Sequence, residues 1–262
     1  MTSLLEVRDL QVSLGGRGGS VLVVRGLSFD VEAGEVLAIV GESGAGKSMT
    51  VQAVLGLLGP SAEVQGSIRF AGVELVGAPQ SAYRELRGQR LAFVPQDALS
   101  VLSPVHTVGE QLAIAVRSVQ GVGRKAASDQ AVRALERVGI PEAARRARAY
   151  PHEFSGGMRQ RAVIAMAMVN EPELIFADEP TTALDPRIQA QILALLNQLR
   201  DESGMAVVLV THDLAAVAGS ADRMLVMTEG REAESGPVDR VLTAPRSEYT
   251  AGLLASLQEL YR

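Results

Sequence analysis

The sequence predicts an α/β fold with a mostly parallel sheet covered by helices on both faces, and three observations predict it. Short apolar runs at Val36-Leu37-Ala38-Ile39-Val40, Leu91-Ala92-Phe93-Val94, Leu174-Ile175-Phe176-Ala177 and Met205 to Val210 read as strands buried on both faces. Amphipathic helical stretches alternate with them, the clearest carrying Ile188, Ile192, Leu195, Leu196 and Leu199 on one face. Polar and glycine-rich segments come directly after these strands, at the carboxyl ends where such sheets place their ligands.

In chain order, Leu4 to Leu14 and Val21 to Val31 read as strands, separated by a flexible stretch, Gly15-Gly16-Arg17-Gly18-Gly19-Ser20. Ala33-Gly34-Glu35 turns the chain into the Val36 strand. The apolar segment Met49 to Leu58 forms the first helix, which Gly59-Pro60 stops. Ser67 to Val76 gives short strands joined around Ala71-Gly72, and a weak helix, Ser81 to Arg87, precedes the Leu91 strand. The middle of the chain then changes character. Val108 to Gln120, Ser128 to Val138 and Glu142 to Ala149 carry helical signals with almost no strand propensity, as expected of a helical insertion in an α/β core. Gly121-Val122-Gly123-Arg124-Lys125 reads as a plain loop within it. A long helix, Met158 to Val169, leads to the Leu174 strand. Alternation resumes with the strand Met205 to Val210, a short helix Asp213 to Gly219 and the strand Arg223 to Thr228.

Composition narrows the function classes. The 262 residues are 47% hydrophobic and 21% charged, ordinary for a globular chain with a real core. A net charge of −5 argues against a dispersed nucleic-acid footprint. The absence of cysteine excludes disulfides, thiolate metal sites and cysteine nucleophiles. No apolar run approaches the roughly 18 residues that span a bilayer. Met1-Thr2-Ser3-Leu4-Leu5-Glu6 lacks the basic-then-apolar order of a signal peptide. The expected location is the cytosol, with any membrane role exercised through a partner. The three histidines, His106, His152 and His212, show no metal-ligand spacing.

Chemistry concentrates at the strand ends. Gly41-Glu42-Ser43-Gly44-Ala45-Gly46-Lys47-Ser48 fits G-x-x-x-x-G-K-S/T, the Walker A phosphate loop, between a strand and a helix. Its glycines let successive N–H groups converge on phosphate oxygens, and the helix after it adds its positive dipole end. Lys47 supplies a point charge for the β- and γ-phosphates, and the Ser48 hydroxyl can ligate Mg²⁺. Asp178 and Glu179 directly succeed a buried strand, where carboxylates need a cation or a proton. Asp178 suits the Walker B task of holding Mg²⁺ through its water shell, and Glu179 suits a general base; alone, the pair also reads as a strand ending in a polar turn. Ser155-Gly156-Gly157 before a helix offers a second anion-binding helix start, or simply a capped helix with a glycine lead-in. Gln96 can reach Mg²⁺ or the lytic water. His212, after the Met205 strand, can hold the γ-phosphate region and its water in line, or serve as a structural hydrogen-bonder.

Together these residues resemble the ATP-binding-cassette (ABC) ATPases over nearly the whole chain. Walker A is Gly41 to Ser48, the Q-loop Val94-Pro95-Gln96-Asp97, the signature Phe154-Ser155-Gly156-Gly157-Met158 and Walker B Leu174 to Glu179. The D-loop is Ala183-Leu184-Asp185 and the switch histidine His212. The resemblance implies a P-loop NTPase core with a mostly parallel sheet, an N-terminal antiparallel β subdomain and an inserted helical subdomain. On that reading the chain is a single ABC domain, 1–262, with the helical subdomain at about 97–165 and a C-terminal tail at about 237–262. It also implies ATP and Mg²⁺ as cofactors, with Ser48, Gln96 and Asp178 toward the metal. Two cassettes would dimerise head to tail, each ATP lying between one chain's phosphate loop and the other's Ser155-Gly156-Gly157.

A narrower resemblance is to the oligopeptide/dipeptide/nickel importer branch. It rests on Val108-Gly109-Glu110-Gln111-Leu112, on Tyr150 to Arg161, on Ala177 to Asp185 and on the tail Pro245 to Leu254. That branch implies a bacterial or archaeal importer at the cytoplasmic face of the plasma membrane. It pairs two related ATPase subunits with two transmembrane permease subunits and an extracytoplasmic solute-binding protein, and involves no nucleic acid. Two departures stand out. The tail lacks the cysteines that often bind an iron–sulfur cluster in this branch, as in shorter nickel-type subunits. The first hairpin has no aromatic to stack on adenine, offering only Arg17, which can stack as a cation or stay solvated. The apolar residues from Ala98 to Leu102 are either a groove for a permease helix or part of the insertion's core. The rival readings are a soluble cassette acting on ribosomes or DNA, which a single cassette of net charge −5 argues against, and a nucleotide-sensing module, which Glu179 and His212 argue against.

Overall fold

The computed structural model describes residues 3–16, 19–182 and 184–260. Its first stretch runs β1 (Leu5–Gly16), β2 (Gly19–Val31), β3 (Val36–Val40), α1 (Lys47–Val54), β4 (Ala62–Phe70), β5 (Val73–Glu74) and α2 (Gln80–Leu86). The middle comprises β6 (Leu91–Val94), α3 (Ala98–Val101), α4 (Val108–Gln120), α5 (Arg124–Arg137), α6 (Ala143–Arg146), α7 (Gly156–Met168), β7 (Leu174–Asp178) and α8 (Pro186–Ser203). The last stretch holds β8 (Ala206–Thr211), α9 (Leu214–Val217), β9 (Arg223–Thr228), β10 (Arg231–Pro237), α10 (Val238–Thr243) and α11 (Glu248–Leu260). Residues up to Glu85 and from Ala206 onward form one compact unit, and Leu86–Met205 form a second.

In the first unit, β2-β1-β4-β5 make an antiparallel sheet. A second layer, ordered β10-β9-β3-β8, sets β3 parallel to both β8 and β9, with β10 antiparallel at the edge. Every residue of β3 is buried, as an apolar strand covered on both faces must be. Val40 pairs with Thr211 on one side and Val226 on the other, so these three strands finish at one edge. One face of this layer, Ala38, Val40, Met224 and Val226, packs with Leu214 and Val217 of α9 and Val238 and Val241 of α10.

Two boundaries here differ from the sequence expectation. The strands run further into the glycine-rich stretch than expected, because Gly15 pairs with Ser20 and Gly16 with Gly19, continuing the β1–β2 ladder. Glycine weakens strand propensity without preventing pairing. Arg17, the candidate for adenine stacking, lies outside the described residues. The first helix ends at Val54, well before Gly59-Pro60. The stop is Gly56, at φ +60, where an added Cβ would sit 2.6 Å from the Tyr83 ring. An apolar run hides such a glycine. The tail elements β10, α10 and α11 are not evident from strand or helix periodicity.

In the second unit, β6 and β7 pair in parallel from Leu91↔Leu174 to Val94↔Ala177. An Arg90–Glu173 ion pair joins the two strand starts. Thr107 and Glu110 form a capping box at the start of α4, which ends on left-handed Gly121. The helix α5 begins at Arg124 rather than Ser128, so Arg124 and Lys125 belong to its first turn and not to a loop. Gly123 takes the cap position in extended backbone, which propensity alone does not distinguish from a linker. Asp185 caps α8 by accepting from Ile188 N–H at 3.1 Å, and Gly204 closes it at φ +69. Of the Ala98 to Leu102 stretch, Leu102 is buried at 3% exposure and so serves the core.

Glu234 of β10 fixes the start of the tail helix. Its carboxylate is 6% exposed and accepts from Arg246 N–H at 2.9 and 3.0 Å and from Ser247 N–H at 3.1 Å. Burial raises this carboxyl's pKa, but the Arg246 and Ser247 N–H groups, with the charge of Arg240 nearby, outweigh it and hold the group below the ordinary range. The stabilisation is therefore complete above the ordinary carboxylate value and lost as pH falls through the lowered one. Glu234→Gln should cost about 1–3 kcal/mol at neutral pH. In denaturant titrations the gap between wild type and variant should close as pH drops below ~4.

Candidate functional site

The first unit carries the phosphate loop at the carboxyl end of β3. Gly41 is glycine because an added Cβ would lie 2.2 Å from the Met227 carbonyl oxygen of β9. Gly44 and Gly46 adopt φ +85 and +97, open to glycine and strained for other residues. Ala45 N–H closes a turn onto Glu42 O at 3.2 Å. Lys47, only 5% exposed, folds its ammonium back onto the carbonyl oxygens of Gly41 and Glu42 at 2.7 and 2.9 Å. Ser48 comes next in the first turn of α1, half-buried, while Glu42, Ser43 and Gly44 are exposed. Thr50, fully buried, gives both its N–H and its hydroxyl to Gly46 O, at 2.9 and 3.0 Å. The result is a loop exposed from Glu42 to Gly44, with a buried positive charge fixed behind it. Glycine-rich turns that lead into a helix start are suited to anions.

His212 leaves the end of β8, next to β3 in this layer, with an exposed ring. Its backbone is set by neighbours: Asp213 N–H donates to Thr211 Oγ1 at 3.0 Å, and Ala216 N–H to Asp213 Oδ1 at 3.3 Å.

The second unit carries the carboxylates. Asp178, 5% exposed, is the last residue of β7, and Glu179 comes after it at φ +46. A left-handed glutamate is an uncommon conformation that a plain polar turn would shed. Two hydrogen bonds fix its carboxylate: Gln96 Nε2 donates to Glu179 Oε2 at 2.9 Å and Thr182 Oγ1 to the same oxygen at 2.8 Å. The β6–β7 register explains the first, since Gln96 and Glu179 each stand two residues beyond the paired Val94 and Ala177. By donating its amide N–H to Glu179, Gln96 leaves its carbonyl oxygen as the end available to a cation or water.

The signature segment is a capped helix start in this same unit. Ser155 Oγ accepts from Met158 N–H at 3.3 Å, and Ser155 and Gly156 are exposed. Gly157 packs closely on α8, an added Cβ meeting Ile188 Cγ2 at 3.0 Å. Of the D-loop, Ala183 falls outside the described residues; Leu184 and Asp185 continue in a turn where Leu184 N–H bonds Thr181 O at 3.2 Å. Tyr150 and His152 stack with ring centroids 5.7 Å apart ahead of the signature.

Sequence reading missed the supports of these groups. Thr50 and Thr182 are visible in the sequence beside their motifs, and a hydroxyl three or four residues past an unusual backbone position is the signal that marks them. The Met227 carbonyl behind Gly41 has no sequence signal, because it acts through backbone from a distant strand.

The ABC transporter family model matches residues 24–182. The oligopeptide transport ATP-binding protein OppD of Salmonella typhimurium is 45% identical over 257 residues, covering 98% of this chain and 77% of that protein. OppD of Mycobacterium tuberculosis is 51% identical over 261 residues, but the chain spans only 43% of that relative's length. The dipeptide transport ATP-binding protein DppD of Bacillus subtilis is 46% identical over 262 residues, 99% of this chain and 78% of that protein. Among solved structures, the dimeric ATP-binding cassette MJ0796, bound to ADP and phosphate after hydrolysis, superposes with a TM-score of 0.79 at 25% identity, over 89% of this chain and 98% of that one. The cbiO1 cassette of Clostridium perfringens superposes with a TM-score of 0.78 at 27% identity, over 100% and 99% of the two chains. By its motifs, its fold and these matches, the chain belongs to the ABC transporter family of ATP-binding cassettes.

Proposed function

We propose that the chain is the ATP-binding and ATP-hydrolysing subunit of an importer for small peptides. The observation that carries hydrolysis, beyond binding, is the Gln96–Glu179 hydrogen bond at 2.9 Å on a left-handed glutamate. In this reading the backbone amides from Gly41 to Ser48 and the Lys47 ammonium bind the phosphates. Glu179 takes the proton of the attacking water, and His212 keeps that water in line with the γ-phosphorus. Phosphoryl transfer is governed by positioning and charge stabilisation, which a stiff loop and a fixed carboxylate supply.

The Ser48 hydroxyl, the Gln96 carbonyl and the Asp178 carboxylate are the residues that would hold Mg²⁺, each supplying the oxygen donor that a hard cation prefers. Bound there, the metal would neutralise phosphate charge. Ser155-Gly156-Gly157, exposed at its first two residues, would serve the nucleotide held by a second, head-to-tail ATPase subunit, identical or paralogous. Among the described residues no helix is long and apolar enough to cross a membrane. In this reading coupling to import falls to two transmembrane permease subunits, which the chain meets at the cytoplasmic face of the plasma membrane, and which an extracytoplasmic binding protein feeds. The domain runs 1–262, with the helical subdomain at about 97–165 and the tail at about 237–262. The identity to OppD and DppD proteins supports peptide as cargo over nickel or another solute.

Two variants separate binding from chemistry in the assembly reconstituted with its permeases and binding protein. Lys47→Ala should weaken ATP affinity ~10–100-fold, the loss of a charge-assisted contact to phosphate. Glu179→Gln should leave ATP affinity within about twofold while cutting peptide-stimulated phosphate release at least ~100-fold, the scale of a lost general base. Near-wild-type release by Glu179→Gln would remove Glu179 as the base.

A further inference from the structure

We infer that Gly230 is a positioning residue for the phosphate loop: the β9–β10 turn straps the loop to β2 and aims one of its phosphate-facing N–H groups. The inference rests on the nucleotide-binding reading above and assigns the loop a support from outside its own motif.

The strap is made of backbone. Glu229 and Gly230, at φ +47 and +77, form a tight two-residue link between the paired Thr228 and Arg231. Gly230 N–H donates to Ala45 O at 3.1 Å, and Gly230 O accepts from Arg25 N–H of β2 at 2.8 Å. One residue thus bridges the loop and a strand of the first sheet. It has no room for a side chain: an added Cβ would stand 2.1 Å from Val23 O and 3.3 Å from Arg25 Cγ. Gly46 is packed into the same corner, its own Cβ position lying 3.1 Å from Val23 O and 3.6 Å from Gly230 Cα.

A trans peptide is planar, with its C=O and N–H pointing opposite ways. Holding Ala45 C=O toward Gly230 therefore turns the Gly46 N–H away from the strap. The next peptide is held the same way, by Thr50 on Gly46 O at 2.9 and 3.0 Å, which turns the Lys47 N–H in its turn. Thr50 is a local anchor that belongs to α1. Gly230 is the distant one, and it makes the donor geometry of the loop depend on the first hairpin. Preorganised donors owe their strength to this absence of rearrangement on binding.

The test uses the purified full chain, a fluorescent ATP analogue with Mg²⁺ at equilibrium, and thermal unfolding without nucleotide. Gly230→Ala should bind about tenfold more weakly, the fold-change of roughly one misdirected hydrogen bond. Gly77→Ala is the control, since Gly77, between β5 and α2, has the same φ of +77 with no atom within 4 Å of its Cβ position. It carries the same backbone penalty without touching the strap, and its affinity should stay within about twofold of wild type. If Gly230→Ala binds as wild type does, or weakens no more than Gly77→Ala, the inference is wrong. Should Gly230→Ala fail to fold, glycolic acid at position 230 deletes the N–H and adds no Cβ. The same tenfold loss is then expected, and unchanged affinity overturns the strap. A wild-type chain that binds no nucleotide would instead overturn the nucleotide reading itself.

Discussion

A buried ammonium held by its own loop is the constraint that shapes the first unit's geometry. Lys47 is 5% exposed, and leaving its charge without acceptors would cost several kcal/mol. The loop meets that cost by folding back, so that the carbonyls of Gly41 and Glu42 face the ammonium at 2.7 and 2.9 Å. Folding back demands positive φ at Gly44 and Gly46, and it presses Gly41 against the Met227 carbonyl with no space for a Cβ. Peptide planes whose carbonyls turn inward present their N–H groups outward. In the proposed reading an anion that reaches the loop meets donors already aligned, and Lys47 exchanges its carbonyl partners for phosphate oxygens.

The second unit solves a different electrostatic problem. Asp178 and Glu179 are adjacent carboxylates at the end of a buried strand, and their backbones diverge because Glu179 turns left-handed. Asp178 stays within the strand end, while Glu179 is drawn to Gln96 and Thr182. In the proposed reading their separation suits them to separate tasks, Asp178 to a hydrated cation and Glu179 to a water molecule. The proposed reaction draws on both units, the phosphate grip from one and water activation from the other.

Much of this is legible in the sequence because strand ends carry the chemistry. A buried parallel strand is a run of apolar residues that any reading finds, and the residues just past its last apolar position must sit at the sheet's carboxyl edge. The strand or loop setting of Gly41 to Ser48, Asp178, Glu179 and His212 is therefore readable without coordinates. Features set by backbone contacts across long sequence distance are not legible. The Met227 carbonyl behind Gly41 and the Gly230 strap act through atoms common to every residue, so the side-chain code is silent about them. Gly56 ends α1 because Tyr83 closes over it, a tertiary event that the later Gly59-Pro60 signal obscures. The start of α5 escapes propensity for a related reason: Gly123 in extended backbone serves as a cap only when the helix after it packs. The tail helix is recognisable only by family resemblance, since its attachment through Glu234 to the N–H groups of Arg246 and Ser247 leaves no periodic trace.

The central claim is that triphosphate sits on the amides between Gly41 and Ser48. Amide hydrogen exchange of the purified chain, with and without saturating Mg²⁺ and ATP, reads those amides directly. The account predicts that exchange across residues 41–48 slows sharply when nucleotide binds, with the change centred on Gly46 and Lys47. Saturable ATP binding that leaves exchange in this segment unaltered would contradict it.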